Sequence, residues 1–272
     1  MSNITNNKNK IISIYGPTIS KKTGLALNLG KYIWGAYSKD VVFINADSRK
    51  LYKEMKTSQV KFDPPFDKKF KVRLSGFLRL DQQLDLAKYQ ELCFAEIENA
   101  FADNKLPILF GGTGLYHLSV LQNWILEEGI SQNMGRGEPK YEYLTLVPNM
   151  YREELYSAIK KHAAKQIKDG IFNETKILAE NYNITPFKFN NDKKWNVLKQ
   201  TIGHAEFFDY AYRYNKPFDK FTKKDFQNIE KLIAKNLTDM ARKQIRHYKA
   251  FDNLYFVDDW KQARGVVDQF LS

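Results

Sequence analysis

Ile11-Ile12-Ser13-Ile14-Tyr15-Gly16-Pro17-Thr18-Ile19-Ser20-Lys21-Lys22-Thr23 reads as a short β-rich run, a turn and the start of a helix. The turn is one residue away from G-x-x-x-x-G-K-[ST], the loop whose successive backbone N–H groups and helix N-terminus hold a phosphate. In that reading a lysine neutralises the anion and a threonine hydroxyl can bind Mg²⁺. Lys21 stands where the pattern has its second glycine, and a side chain there predicts crowding of the phosphate or an unusual backbone angle. The competing reading is a turn that merely caps the helix marked by Leu25, Leu29 and Ile33.

Two further strand–turn units follow. Val41-Val42-Phe43-Ile44 is a second buried-strand candidate, closed by Asn45-Ala46-Asp47-Ser48. An acidic residue at a strand's carboxyl end points into the crevice where α/β proteins bind ligands, although Asp-Ser after a strand also serves as a cap or turn. Pro107-Ile108-Leu109-Phe110 is a third strand, ended by Gly111-Gly112-Thr113-Gly114. Between them an amphipathic helix is predicted over 84–101, and another follows over 115–124. Alternation of this kind predicts a parallel sheet with helices on both faces. It also brings Lys22, Thr23, Asp47 and Thr113 to one sheet edge, and three turns converging on one crevice favour a site over three ordinary turns. A fourth strand is predicted over 143–147. The chain then reads as mainly helical over 152–168, 174–182, 195–212 and 223–250, before a strand at 254–257 and a last helix.

Composition sets the outer limits. The 272 residues are 43% hydrophobic and 14% aromatic, enough to build a core. The single cysteine, Cys93, excludes a disulfide framework, and four scattered histidines argue against a metal cage. No apolar run is long enough to span a membrane. The polar start MSNITNNKNK lacks a signal-peptide core and predicts a cytoplasmic protein. The net charge of +12 suits a polyanionic partner, but 34 of the 43 basic residues are Lys, which is equally the mark of a composition-wide drift. On 223–250, Ile229, Leu232, Ile233, Leu237, Met240, Ala241, Ile245 and Tyr248 form an apolar stripe. Lys231, Lys235, Arg242, Arg246 and Lys249 share the other face, which by default is simply solvated.

The order GPTISKKT, NADSRKLYKEM and LPILFGGTGLYHLSVL resembles the tRNA dimethylallyltransferase (tRNA isopentenyltransferase) family, with its GPTASGKT-like loop, ADS-x-Q-x-Y segment and GGTGLY turn. LKQTIGHAEFF (198–208) and LTDMARKQIRHYK (237–249) resemble two later segments of that family. The resemblance implies a P-loop NTPase-like parallel sheet flanked by helices, with a mainly helical C-terminal portion. It implies the following organisation: a tail over 1–9, a first core part over 10–126, a linker over 127–142 where the family usually inserts a helical subdomain, and the rest of the core with the tRNA-binding helices over 143–272. The insertion is reduced or absent here.

The implied activity is transfer of a dimethylallyl group from dimethylallyl diphosphate to N6 of an adenosine next to the anticodon of tRNA, releasing diphosphate. By that resemblance Gly16, Pro17, Thr18, Ile19, Ser20, Lys21, Lys22 and Thr23 hold the diphosphate. Lys22, Asp47 and Thr113 are catalytic, and Mg²⁺ sits on Thr23. Asp47, Ser48, Arg49, Lys50, Arg242, Lys243 and Arg246 meet the tRNA, and Lys61 adds to substrate binding. The partners implied are the tRNA anticodon stem-loop and dimethylallyl diphosphate, with no membrane and a monomeric chain. The departures are Lys21 for Gly, Lys50 for Gln, Ala205 for a basic residue and Asp239 for Arg. Rival readings are an adenine-nucleotide (cytokinin-type) isopentenyltransferase, favoured by the short linker, a catalytically decayed RNA-binding member, and a nucleotide kinase.

Overall fold

A computed structural model describes residues 8–56, 70–127, 134–187 and 197–272. Lys61 and residues 128–133 of the linker lie outside the described residues. Strand β1 (Lys10–Tyr15) leads through the phosphate-loop turn into helix α1 (Lys22–Tyr37), and β2 (Val41–Asn45) follows. Next come β3 (Lys71–Arg73), α2 (Leu86–Ala102), β4 (Leu106–Gly111) and α3 (Gly114–Leu121). Two-residue strands β5 (Trp124–Ile125) and β6 (Gly135–Arg136) pair antiparallel where the linker was expected to be a loop. β7 (Glu142–Pro148) leads into α4 (Arg152–Lys168), α5 (Ile171–Asn181), α6 (Val197–Gln200), α7 (Ala205–Arg213) and α8 (Lys223–Arg246). β8 (Leu254–Val257) and α9 (Trp260–Leu271) end the chain.

Six strands form one sheet in the order β3-β2-β4-β1-β7-β8, and every pairing in it is parallel. The central strands are buried on both faces, which is why they read as nearly continuous apolar runs. One face, carrying Ile12, Phe43 and Ile108, packs against Leu29 and Ile33 of α1 and Val267 of α9. The other, carrying Ile11, Val42 and Leu109, packs against Tyr89, Cys93 and Ile97 of α2 and Leu118 of α3. A third core joins α4, α5, α7 and α8 through Ile159, Ile171, Phe207 and Ile233. Thr222 and Asp225 close a capping box at the start of α8.

The helix predicted over 195–212 is interrupted. α6 stops at Gln200, the chain turns through Gly203 at φ 102, and α7 begins at Ala205. Only glycine reaches that backbone angle without cost, and the apolar spacing hid the break because Phe208 of α7 joins Val197 and Leu198 of α6 in one cluster. Ile245, read as part of the core stripe, is 40% exposed. It follows Gln244, whose side chain takes the inward position in this last turn of α8.

Candidate active site

The first, second and third strand–turn units all deliver their turns to the carboxyl edge of the sheet, and the turns border one cleft of about 540 Å³. Its far wall comes from α4, the 200–202 turn and α8. The phosphate loop is strained in the way its sequence foretells. Lys21 adopts φ 64, ψ 15 as the N-cap of α1, and Ile19 also has φ 66. The left-handed region costs a non-glycine residue about 1–2 kcal/mol, and a β-branched one is rarer still. Such outliers gather at functional sites because the surrounding structure enforces them. Lys21 is exposed at the rim of the cleft.

Lys22 extends under the loop. Its amine donates to the Pro17 carbonyl and the Ser20 hydroxyl. Burial, and then the nearby Lys50 charge, push this amine down to about 7, with Asp47 opposing them. Thr23, in the first turn of α1, borders the same cleft.

Asp47 sits at the end of β2 in a turn of its own making. Its Oδ1 accepts the Arg49 N–H at 3.0 Å, and its own N–H is received by Asn45 Oδ1 at 3.2 Å. The third turn locks onto this one. Ala46 N donates to Phe110 O at 2.8 Å, Thr113 N to Ala46 O at 3.0 Å, and Ser48 N to Thr113 Oγ1 at 2.9 Å. Gly111 makes the approach possible, since a Cβ there would lie 2.1 Å from the Ala46 carbonyl oxygen. Thr113 thereby holds the Asp47–Ser48 turn in place.

Charge in the cleft is one-sided. Lys21, Lys22, Arg49, Lys50 and Lys243 line it, and Asp47 is the only acidic residue among the described lining. Lys50 packs its amine over the Phe110 ring at 5.7 Å, so the departure from Gln adds a cation near the loop. The opposite wall carries Ile202, Leu237 and Met240 with the amides of Gln166 and Gln200.

The basic face of α8 divides here. Lys243 turns to the cleft, Arg246 is exposed, and Arg242 lies outside, bonded to Tyr156 and Asp239. The departure at Ala205 falls at the start of α7, where the neighbouring Glu206 is buried and accepts Gly203 N and Asn236 Nδ2, each at 2.7 Å. Burial raises the Glu206 carboxyl above its usual range. His204 is likewise internal, paired to Thr175 Oγ1 at 2.7 Å and pushed down to about 3 by desolvation. Cys93 is buried, its thiol pushed up to about 12. Both side chains are internal to the fold.

The sequence reading missed Gln244. Its Oε1 accepts Thr18 N at 2.7 Å and its Nε2 donates to Gly112 O at 2.7 Å. One side chain on α8 therefore ties the phosphate loop to the third turn, and Tyr15 Oη anchors the Gln244 carbonyl at 2.7 Å. The available signal was a polar residue at the i, i+3/i+4 spacing that Leu237 and Met240 follow.

Among the described residues no helix is long and apolar enough to cross a membrane. A family model described as IPP transferase matches residues 50–133 and 125–251. A tRNA dimethylallyltransferase of Pelagibacter ubique is 36% identical over 118 residues, 43% of this chain and 36% of that protein. One from Acetivibrio thermocellus is 22% identical over 91% of each chain. The first three relatives are matched over only 36%, 34% and 33% of their own length. The solved full-length tRNA isopentenylpyrophosphate transferase of Bacillus halodurans superposes with a TM-score of 0.76 at 18% identity, over 97% of this chain and 96% of that one. A eukaryotic dimethylallyltransferase acting on tRNA gives 0.72 at 16% identity, over 97% and 78%. These structures establish a common fold. The family model reaches from residue 50 to residue 251 in two overlapping stretches, well over half of the chain, and the chain belongs to the IPP transferase family.

Proposed function

We propose that this protein transfers a dimethylallyl group from dimethylallyl diphosphate to N6 of an adenosine in tRNA, next to the anticodon. The observation that carries the reading is the shared cleft: a strained phosphate loop and a strand-end carboxylate border the same space, with cations reaching it from the loop side and from Lys243 of α8, and apolar side chains on the far wall. The diphosphate belongs against residues 16–23, Lys50 and Lys243. The five-carbon chain belongs against Ile202, Leu237 and Met240. N6 attacks C1 of the donor, the C1–O bond breaks, and the diphosphate departs with the bonding pair. Lys22 meets the charge growing on it. Asp47 takes the proton lost by N6, and Thr113 keeps that carboxylate's turn in position. Ser48 to Lys50 then flank a base drawn out of its stack.

Magnesium suits these residues. No group of three acidic, His or Cys side chains exists among the described residues, and Mg²⁺ favours one or two protein oxygens with phosphate oxygens completing its shell. The Thr23 hydroxyl, a hard oxygen donor on the cleft, would hold it. When bound it would supply neutralising charge to the leaving diphosphate.

The supporting names of the relatives refer to tRNA, and the one-sided charge suits a polyanion. Labelled dimethylallyl diphosphate offered with tRNA and, separately, with free AMP tests the assignment. Label in tRNA alone is the expected outcome. Label in AMP alone would favour the nucleotide-modifying reading, and label in neither would sink the transferase.

Binding of diphosphate is expected to be coupled to a proton. The Lys22 amine titrates at about 7 in the unliganded cleft, and an adjacent anion restores its charge. Inorganic diphosphate should therefore take up about one proton at alkaline pH, with affinity falling up to about tenfold per pH unit above neutrality. Calorimetry in two buffers of different ionisation enthalpy measures the uptake. Lys22→Arg keeps its charge throughout and should abolish the difference from the free ligand's own titration. An unchanged uptake in that variant would assign the proton elsewhere. The sign for stability follows from the same depression. The unliganded fold is penalised while the amine is protonated, and it regains stability as pH climbs from about 7 towards 10.5.

A further inference from the structure

α4 and α8 lie side by side, and at their exposed seam two guanidinium groups share one phenol. Tyr156 Oη accepts Arg152 Nε at 3.1 Å and Arg242 Nε at 3.0 Å. The two guanidinium carbons lie 5.3 and 5.4 Å from the Tyr156 ring centre. Both hydrogen bonds favour the ionised phenol and lower its pKa, Arg242 more than Arg152. One acid offsets the pair, Asp239, which accepts Arg242 Nη1 at 3.1 Å. Arg152 and Tyr156 are four apart and share a stripe of α4, whereas Glu153 and Glu154 are rotated by roughly 100° and 200° from Arg152. Tyr151, just before the helix, is 78% exposed.

Two like charges brought together on a neutral hydroxyl gain little from each other, and ordering both long side chains costs entropy. What the arrangement provides is a pair of oriented forks. Arginine presents five N–H donors; among the described residues one of Arg152 and two of Arg242 are paired, and both residues are exposed. That geometry matches phosphate oxygens bidentately. The seat adjoins the cleft, since Met240 and Lys243 on either side of Arg242 line it while Arg242 itself faces out. A nucleotide inserted base-first would leave its backbone at this rim, with Tyr151 beside it as a stacking surface.

We propose that Arg152, Tyr156 and Arg242, with Tyr151 beside them, form a seat for the phosphodiester backbone of the RNA acceptor, outside the transfer cleft. The proposal rests on reading the acceptor as RNA. It adds to α8 a binding contribution from α4.

The test is fluorescence anisotropy of a labelled tRNA anticodon stem-loop with the full chain over a KCl series. Arg152→Ala should weaken binding about tenfold and shrink the log–log salt slope by about 0.7, one phosphate contact on single-stranded RNA. Arg152→Lys should keep the slope and recover only part of the affinity. Tyr156→Phe removes no charge, so it should weaken binding a few-fold at an unaltered slope, by releasing the two side chains. Melting temperatures are taken for each variant. Wild-type affinity and slope in both Arg152→Ala and Tyr156→Phe, with lowered melting temperatures, would make the cluster a clamp between helices and overturn the proposal alone. Failure of the wild-type chain to bind the stem-loop would overturn the RNA reading itself.

Discussion

Asp47→Asn is expected to lower the rate of prenyl transfer about a thousandfold while leaving RNA binding intact, the range in which a positioned proton acceptor acts. Asparagine keeps the oxygen that receives Arg49 N, so the turn after β2 keeps its shape and the third turn keeps its partner. Two things are lost. No carboxylate remains to take the N6 proton as the carbon–nitrogen bond forms. The cleft also loses its one acidic lining residue, the charge that opposes the depression of Lys22. The Lys22 amine should then titrate still lower, and diphosphate binding should turn pH-sensitive at a more acidic point. Single-turnover transfer with saturating donor measures the chemical step, and stem-loop anisotropy measures acceptor binding. A single-turnover rate within threefold of wild type would remove Asp47 from the chemistry.

Gly111→Ala should cost more stability than any other single methyl added at the site. Its Cβ would lie 2.1 Å from Ala46 O, 2.2 Å from Ala46 C and 2.8 Å from Ala46 Cα. All three are backbone atoms in the last rung between β2 and β4, so no side chain can rotate away. Relief requires the strand ends to part, which breaks Ala46 N to Phe110 O and Thr113 N to Ala46 O. A loss of about 4 kcal/mol or more is expected, and with it a fall of about 8–16 °C in Tm for a chain of this size. Transfer activity should fall further than the folded fraction does, because the same two hydrogen bonds align Asp47 with Thr113. Thermal denaturation followed by circular dichroism, with activity measured below the transition, separates the two losses. A Tm within 2 °C of wild type would mean that the strand ends part at little cost.

Much of the site was legible because its parts are local. A phosphate loop, a strand-end acid and a glycine-rich turn are each encoded in a few consecutive residues, and a parallel sheet sends all such turns to one edge. The strained angle at Lys21 could be anticipated from the missing glycine alone. The pieces that went unread are those whose partners are distant. β3 is three residues long and pairs only at the edge of the sheet, too short to show a period. Gln244 looked like one polar residue on a long helix, yet it bridges Thr18 and Gly112, more than a hundred residues away in sequence.

The amino-acid order by itself determined the α/β class, the succession of strand, turn and helix, and the carboxylate and lysine that face the cleft. These rest on hydrophobic periodicity and turn chemistry, which act over a handful of neighbouring residues. Only the tertiary structure decided how the basic residues of α8 divide, with Lys243 in the cleft and Arg242 joined to Tyr156 outside it. Helical spacing establishes which residues share a face, but what that face meets depends on the packing of α4 against α8, and no local pattern carries that information.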